Sequence, residues 1–179
     1  ARRQDEQRAA ARALGATGQV VFPGEVDGEL EAGLDQRSRV AEWIRRLQPD
    51  VVLGHDPWKR YRLHPDHRHA GFLTVDAVVA ARDPHFFPEQ ALPHHRPDEL
   101  LLFEADEPDH VEDVTGFGDT KVAALLEHVS QFRTTMYIDP DDDGTQRDAF
   151  RRRVLDRLAE VGAPAGFAEG ERFTVIEPL

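Results

Sequence analysis

The chain has 179 residues, of which 40% are hydrophobic and 31% are charged, and its net charge is −12. This composition is typical of one folded domain and excludes the disordered and fibrous classes. The acidic balance disfavours nucleic acid and anionic lipid as partners. Cysteine is absent, so any metal must be held by histidine and carboxylate ligands. No apolar run reaches the roughly 20 residues of a membrane span. We therefore expect a cytoplasmic protein, and the composition, rich in Arg and Ala, suggests a bacterial source.

The first part of the chain predicts a helix, a strand and a second helix. Residues 3–14 are rich in Ala, Arg, Gln and Glu and precede a glycine, as at the end of an α-helix. The β-branched and aromatic run 19–22 predicts a strand, and Asp27-Gly28 marks a turn after it. From Leu34 to Leu47, apolar residues recur at helical spacing.

The middle of the chain predicts a strand, a polar loop and a helix. Residues 50–54 are nearly all apolar, as expected of a strand covered on both faces. Residues 66–81 are helical in pattern, and Pro65 suits the first helical position. Because ligands of α/β sheets bind beyond the carboxyl ends of strands, the stretch from His55 to His67 is predicted to occupy the binding edge.

The remaining residues continue the alternation of strands and helices. They predict a Pro-rich loop at 83–98, a strand at 100–103, a helix at 120–129, an acidic turn at 139–144, a helix at 145–161 and a strand at 172–176. This order predicts an α/β layered fold with a mostly parallel sheet flanked by helices. We expect a single domain over residues 1–179.

The run His64-Pro65-Asp66-His67 carries the strongest chemical signal. The two histidines are three residues apart around a helix start, so both rings can point to one spot. Imidazole is a common zinc ligand, but a catalytic zinc takes three protein ligands, which two histidines do not supply. Asp66 can accept a ring N–H and fix the tautomer of a histidine. The alternative is a solvated helix N-terminus at which Asp66 acts as a cap.

Short motifs follow one another along the chain in a definite order. They are Arg3-x-x-Glu6 with Leu14-Gly15, Val21-Phe22 before Asp27-Gly28, Arg37, Ile44-Arg45, Pro49-Asp50-Val51-Val52, the His64–His67 run with Gly71, Lys121, and His128-Val129-Ser130-Gln131. In number, order and spacing these motifs resemble those of the LmbE-like de-N-acetylases, also called the PIG-L family. The resemblance extends to about Gln131, and residues 168–173 fit the family's C-terminal end.

The resemblance implies a Rossmann-like fold and a divalent metal, usually Zn²⁺. It implies hydrolysis of the N-acetyl group of an N-acetylglucosamine-type substrate or conjugate, a small amino-sugar molecule. In this family pattern His67 would be a metal ligand. His64 would polarise the carbonyl oxygen or protonate the departing amine, and Asp66 would orient its neighbours. A homo-oligomer is compatible with this interpretation.

Four further residues are candidates for substrate binding. Asp27 lies in the loop where family members contact the sugar, although Asp-Gly is also an ordinary turn. Arg3 resembles an arginine that holds substrate in some members, but a solvated helix face is the favoured explanation of this residue. His55 and Asp56 leave a strand toward the same edge as His64, and we expect them to line the pocket.

One family element is absent from these residues. The family's other metal ligands and its general base come from a His-Pro-Asp-Asp box after the first strand, and the chain contains no such box. The nearest run, Asp139-Pro140-Asp141-Asp142, lacks the histidine and lies in a late turn. We expect either that the chain lacks its first strand and helix region, or that it is a non-catalytic binding domain that has lost the metal box. A metallophosphoesterase would need a second ligand cluster, which the sequence does not suggest. The role of His128 stays open between a structural hydrogen bond and catalysis.

Overall fold

The computed structural model describes residues 2–179, which form two compact units. One unit joins the N-terminal segment up to Phe22 with Val111–Glu171, and the other joins Pro23–His110 with Arg172–Leu179. The α-helices are α1 (Arg2–Ala13), α2 (Leu34–Leu47), α3 (Pro65–Arg82), α4 (Gly118–Leu126) and α5 (Thr145–Gly162). The strands are β1 (Val51–His55), β2 (Glu99–Phe103), β3 (His110–Asp113) and β4 (Gly170–Ile176). No helix within the described range is both long enough and apolar enough to cross a bilayer.

The sheet is mixed, and its strand order is β1-β2-β4-β3. β1 and β2 run parallel with His55 opposite Phe103, whereas β2 and β4 run antiparallel with Leu100 opposite Ile176. The predicted α/β class with helices flanking a sheet is confirmed, but the prediction of a mostly parallel sheet is wrong. The apolar pattern of a segment indicates a strand without giving its direction, and antiparallel strands commonly complete parallel sheets.

Helices α2 and α3 form the core of the second unit together with β2. The alanines of α3 at positions 77, 80 and 81 are fully buried, and their small side chains allow close packing against α2. Arg45 on α2 is only 3% exposed, and its guanidinium donates hydrogen bonds to backbone carbonyls at and just beyond the end of α3. Those carbonyls lack intrahelical partners, and a positive charge is favourable there. Arg45 thereby fixes the C-terminal end of the helix whose N-terminal end carries the His-Pro-Asp-His run.

Gly71 allows the first turns of α3 to lie directly against the end of β1. A Cβ at this position would lie 2.6 Å from the His55 carbonyl oxygen and 2.9 Å from the Pro57 nitrogen. Gly54 on β1 is similar, because a Cβ there would lie 2.7 Å from Thr74 Cγ2. Since glycine has no side chain, helix and strand approach closely. The start of α3 is therefore held beside the loop that follows β1.

The first unit contains α1, α4 and α5 and has a core of its own. Phe132, Met136, Ile138 and Phe150 form a buried apolar cluster. Glu6 on α1 is 8% exposed and anchors the turn after α4. Its Oε1 accepts the Ser130 N–H at 2.9 Å and its Oε2 accepts the Ser130 hydroxyl at 2.5 Å. The Glu6 carboxylate thus accepts hydrogen bonds from both donors of Ser130.

The predicted helices are all present, with ends that agree within three residues. The strand predicted at residues 19–22 is wrong, since this segment has no regular secondary structure. The segment has β propensity, but it does not pair with any strand within residues 2–179. An extended segment is stabilised as a strand when it pairs with a neighbouring strand. β3 was not predicted because its sequence, His-Val-Glu-Asp, has no apolar run.

Candidate active site

The His-Pro-Asp-His run lies where the loop after β1 enters α3. His64 is the N-cap residue of α3, and its Nδ1 accepts the backbone N–H of Asp66 at 3.3 Å. Pro65 occupies the first helical position, where its fixed φ and missing N–H have no cost. Because Gly71 holds α3 against the end of β1, the run lies beside His55, the last residue of that strand.

One cluster of potential metal ligands consists of His55, His67 and Glu104. Their ligand atoms all lie within 4.8 Å of one another. The rings of His55 and His67 are stacked, with centroids 4.6 Å apart. Glu104 directly follows β2, and it comes next to His55 because β1 and β2 are parallel with His55 opposite Phe103. We call this the Glu104 cluster.

The guanidinium of Arg62 lies inside the Glu104 cluster. Its Nη1 is 2.6 Å from Glu104 Oε2, 3.0 Å from His55 Nδ1 and 3.3 Å from His67 Nδ1. The Arg62 side chain is only 6% exposed, and its Nε and Nη2 have no hydrogen-bond partner. All side-chain hydrogen bonds found for this guanidinium are therefore made by one nitrogen.

Burial and charge shift two pKa values in this cluster. Burial lowers the pKa of His55, and His67 and Arg62 lower it further against the opposing effect of Glu104. Burial raises the pKa of Glu104, but the charge and hydrogen bond of Arg62, aided by Lys59, outweigh it and hold that pKa below its usual range. Near neutral pH the cluster therefore contains an ionised Glu104 and a neutral His55 around the Arg62 cation.

A second cluster consists of Asp27, His64 and Asp66, and we call it the Asp66 cluster. Its ligand atoms also lie within 4.8 Å of one another. Asp66 Oδ2 accepts the backbone N–H of Gly28 at 2.7 Å, which ties the Asp27-Gly28 turn to the start of α3. Gly28 has a φ of 91°, a left-handed conformation that favours glycine. Asp66 Oδ1 is buried without a hydrogen-bond partner, so it can accept one more hydrogen bond.

The His-Pro-Asp-His run joins these two clusters. His67 belongs to the Glu104 cluster, whereas His64 and Asp66 belong to the Asp66 cluster. The rings of His64 and His67 are stacked, with centroids 4.8 Å apart and an interplanar angle of 25°. The two clusters are thus adjacent through the stacked rings of His64 and His67.

The four predicted substrate residues lie in different surroundings. His55 is in the Glu104 cluster and Asp27 is in the Asp66 cluster. Asp56 is 8% exposed, and its Oδ1 accepts the Trp58 N–H at 2.8 Å. It lines a cleft of about 660 Å³ that also carries the exposed aromatic residues Trp58 and Tyr61. Arg3 lies on an exposed part of α1 in the first unit.

Two residues of the site, Arg62 and Glu104, were not predicted from the sequence. Glu104 carried a usable signal, because it directly follows a predicted strand, where polar residues reach the binding edge of a parallel pair. Its φ of 58° is also unusual for a residue other than glycine. Arg62 gave no such signal, since an arginine in a polar loop is normally solvated.

Two other regions of the first unit are less suited to catalysis. A cavity of about 400 Å³ is lined largely by apolar side chains of α1, α4 and α5, and its Lys121 and Glu171 form an ion pair with each other. His128 lines the same cavity. In the acidic turn before α5, Asp142 and Asp143 accept backbone N–H groups at the start of that helix. These carboxylates act as helix caps.

Comparison with protein families and curated proteins identifies several relatives. A family profile for PIG-L, described as GlcNAc-PI de-N-acetylase, matches residues 1–78. The chain is 33% identical over 150 residues to a diacetylchitobiose deacetylase of Thermococcus kodakarensis, covering 82% of this chain and 53% of the relative. It is 31% identical over 144 residues to a 4-oxalmesaconate hydratase of Pseudomonas putida, covering 74% of this chain and 54% of the relative. The chain thus spans about half the length of the curated relatives that it matches.

Solved structures resemble the fold over nearly the whole chain. N,N'-diacetylchitobiose deacetylase from Pyrococcus horikoshii matches with a TM-score of 0.80 and 26% identity, covering 98% of this chain and 63% of that chain. The conserved protein TT1542 from Thermus thermophilus matches with a TM-score of 0.74 and 26% identity, covering 99% of this chain and 74% of that chain.

Proposed function

Because this chain belongs to the PIG-L de-N-acetylase family, we propose that it contributes the active site of a metal-dependent hydrolase that removes an N-acetyl group from an N-acetylglucosamine-type substrate. The observation that carries this proposal is that the Glu104 cluster and the Asp66 cluster lie side by side at the carboxyl end of β1, joined by the stacked rings of His64 and His67. We infer that the substrate is a small amino sugar or its conjugate. The cytoplasmic location and any homo-oligomer stay predictions from the sequence.

The residues of the site fit a divalent metal ion. Histidine nitrogens and carboxylate oxygens are the ligands of catalytic zinc, and both clusters offer them within 4.8 Å. Asp66 Oδ1 is buried without a hydrogen-bond partner, so a group bound at this site could use it as an acceptor. His67 would hold the ion. Such an ion would polarise the amide carbonyl and would lower the pKa of water toward about 7, which would make a nucleophile available at neutral pH.

His64 is prepared to donate a proton. Its Nδ1 accepts the Asp66 N–H, so a neutral His64 ring carries its proton on Nε2. An N–H at Nε2 can bond the oxygen of the substrate amide and stabilise the negative charge that develops there during attack. Delivery of a proton from this nitrogen to the departing amine would require the cationic ring, in which Nδ1 also carries a proton and no longer accepts the Asp66 N–H. This is the role that the family resemblance implies for His64.

Asp66 is suited to orientation. One of its carboxylate oxygens holds Gly28, and the other remains available as an acceptor. Orientation of a histidine by a carboxylate is the usual way in which a metal site fixes a tautomer. Because Asp66 also fixes the turn that carries Asp27, the catalytic run and the proposed substrate turn are held by one side chain.

The proposed substrate contacts follow from chemistry. The carboxylates of Asp27 and Asp56 can accept hydrogen bonds from sugar hydroxyl groups. His55 is neutral and can donate or accept. The exposed rings of Trp58 and Tyr61 offer flat apolar faces beside Asp56. Arg3 stays a candidate through the family resemblance.

A complete site requires ligands besides His67, since a catalytic zinc takes three protein ligands. We propose that a His-Pro-Asp-Asp box outside these 179 residues supplies them, as the resemblance implies. The alternative is a non-catalytic binding domain that keeps the fold. Sequencing the gene upstream of the codon for Ala1 distinguishes the two, because an apolar strand followed by this box would contradict the non-catalytic alternative.

A second candidate reaction is hydration of a carbon–carbon double bond. It is favoured by the 31% identity to a protein named 4-oxalmesaconate hydratase. Both reactions begin with an activated water, so one fold can serve either. Parallel assays of acetate release from diacetylchitobiose and of water addition to an unsaturated dicarboxylate would separate them.

The central test is His67→Ala in the intact protein, with His94→Ala as a matched control in an exposed loop. We expect His67→Ala to lower the zinc affinity at least 100-fold and to abolish acetate release, because a metal ligand is lost. We expect His94→Ala to change neither. Unchanged zinc affinity and activity of His67→Ala would contradict the proposed function.

A further inference from the structure

The Arg62 guanidinium is poorly matched to the hydrogen-bond acceptors around it. Three acceptor atoms, from Glu104, His55 and His67, converge on the single nitrogen Nη1. This nitrogen carries two hydrogens, so it can satisfy at most two of the three acceptors at once. Meanwhile Nε and Nη2 are buried and have no partner, which is unfavourable for a charged group. The Glu104 cluster thus offers ligand atoms suited to a compact cation, but a guanidinium lies among them.

The contact between Arg62 and His67 restricts the state of His67. Arginine is a donor only, so the 3.3 Å contact is a hydrogen bond only when His67 Nδ1 is unprotonated and accepts. A metal ion also needs an unprotonated nitrogen of a neutral imidazole, and the other nitrogen then carries the proton. If the ion binds Nδ1, it takes the position of Arg62. If it binds Nε2, then Nδ1 carries a proton and can no longer accept from Arg62. The hydrogen bond is lost in both cases.

We propose that Arg62 and a divalent metal ion exclude each other at His67, so that Arg62 holds the site closed until metal binds. This proposal rests on the proposed role of His67 as a metal ligand. When the ion binds Nε2, Glu104 and His55 can still accept from Arg62, so the guanidinium needs to release only His67. The Arg62 backbone N–H donates to the Lys59 carbonyl, and the Arg62 carbonyl accepts from the Arg68 guanidinium, so the backbone of Arg62 is held in place while its side chain moves.

The first experiment measures Zn²⁺ affinity by calorimetry in the intact, metal-stripped protein, for Arg62→Met and for Lys59→Gln. Arg62→Met removes the competing donors and the charge, and we expect about tenfold tighter Zn²⁺ binding. Lys59→Gln removes a positive charge that also acts on Glu104 but donates nothing to His67, so it is the matched control. We expect it to change the affinity less than twofold. Equal or weaker binding by Arg62→Met would overturn the proposal, as would the same gain in Lys59→Gln.

The second experiment needs no substitution. Nitrogen-15 spectra of the imidazoles and guanidiniums of the unaltered protein are recorded before and after Zn²⁺ is added. We expect an unprotonated Nδ1 on His67 without metal, and a shift of the Arg62 side-chain N–H signals with metal. Binding at His67 without any change at Arg62 would overturn the exclusion.

A third variant distinguishes this proposal from the one on which it rests. If His67→Ala binds Zn²⁺ as the unaltered protein does, the assignment of His67 as a ligand is wrong, and both proposals fail. If His67→Ala loses Zn²⁺ binding while Arg62→Met binds like the unaltered protein, only the exclusion by Arg62 is wrong.

Discussion

Two carboxylates with buried oxygens, Asp66 in the second unit and Glu6 in the first, are used in different ways. Glu6 has both oxygens occupied, since they accept from Ser130 and Arg2. Asp66 has one oxygen occupied by Gly28 and one without a partner. A carboxylate whose oxygens both accept hydrogen bonds from the protein serves the fold. A carboxylate with one oxygen free of such bonds can still accept a hydrogen bond from a ligand. Substitutions at and around these positions can test whether this difference separates a structural carboxylate from a functional one.

Among substitutions at and around these two carboxylates, the largest effect is expected from His64→Ala, which removes the proposed proton donor beside Asp66. We expect kcat for acetate release by the zinc-loaded protein to fall about 100- to 1,000-fold, as for loss of an oxyanion donor. KM and the bound zinc should change little, because His64 is not the proposed ligand. Steady-state kinetics with a metal analysis of the same sample tests this. A rise in KM at constant kcat would contradict the role of His64.

Asp66→Asn should have a smaller effect on activity. The amide oxygen can still accept the Gly28 N–H, so the midpoint of urea unfolding should change little. The loss of the charge and of one acceptor should lower kcat/KM about 10- to 100-fold, as for other groups that orient metal-site ligands. If stability falls while kcat/KM of the folded fraction is unchanged, Asp66 is structural like Glu6.

Glu6→Gln is expected to give the opposite pattern. The substitution weakens the bonds to Ser130 and removes the pairing with Arg2, so the urea midpoint should fall. The zinc affinity should stay the same. Asp5→Asn on the same helix is the matched control, because Asp5 is exposed and its pair with Arg8 adds little. Equal urea midpoints for Glu6→Gln and Asp5→Asn would show that Glu6 contributes no more to stability than an exposed carboxylate.

The smallest effect is the pH dependence of that difference. The hydrogen bond from the Ser130 hydroxyl lowers the pKa of Glu6, and the Ser130 N–H and Arg2 add to this against the effect of burial. A lowered pKa in the folded state contributes stability above the unfolded value near 4.5, and this contribution disappears as pH falls through the folded pKa. The difference in urea midpoint between the unaltered protein and Glu6→Gln should therefore be largest at pH 7 and shrink below pH 4.5. A difference that stays constant as the pH falls from 7 to well below 4.5 would contradict this assignment.

Much of the local structure could be predicted from the sequence because its signals are local. The helical spacing of apolar residues predicts Leu34–Leu47 with both ends correct. The His64–His67 run predicts a helix start next to a strand end, and the structure has it there. The strand at 19–22 failed because pairing, rather than propensity, decides whether an extended segment becomes a strand.

The sequence by itself determined the order of helices and the residues of the His-Pro-Asp-His run, because each depends on neighbours within a few positions. It also carried the family resemblance, which rests on the order and spacing of motifs along the chain. Only the tertiary structure decided which residues surround that run. Arg62 and Glu104 meet His67 because β1 and β2 are parallel and α3 approaches β1 at Gly71. The structure likewise decided that Asp66 keeps an unused oxygen while Glu6 does not. Such differences depend on contacts between residues up to 124 positions apart, and no local pattern in a single sequence encodes them.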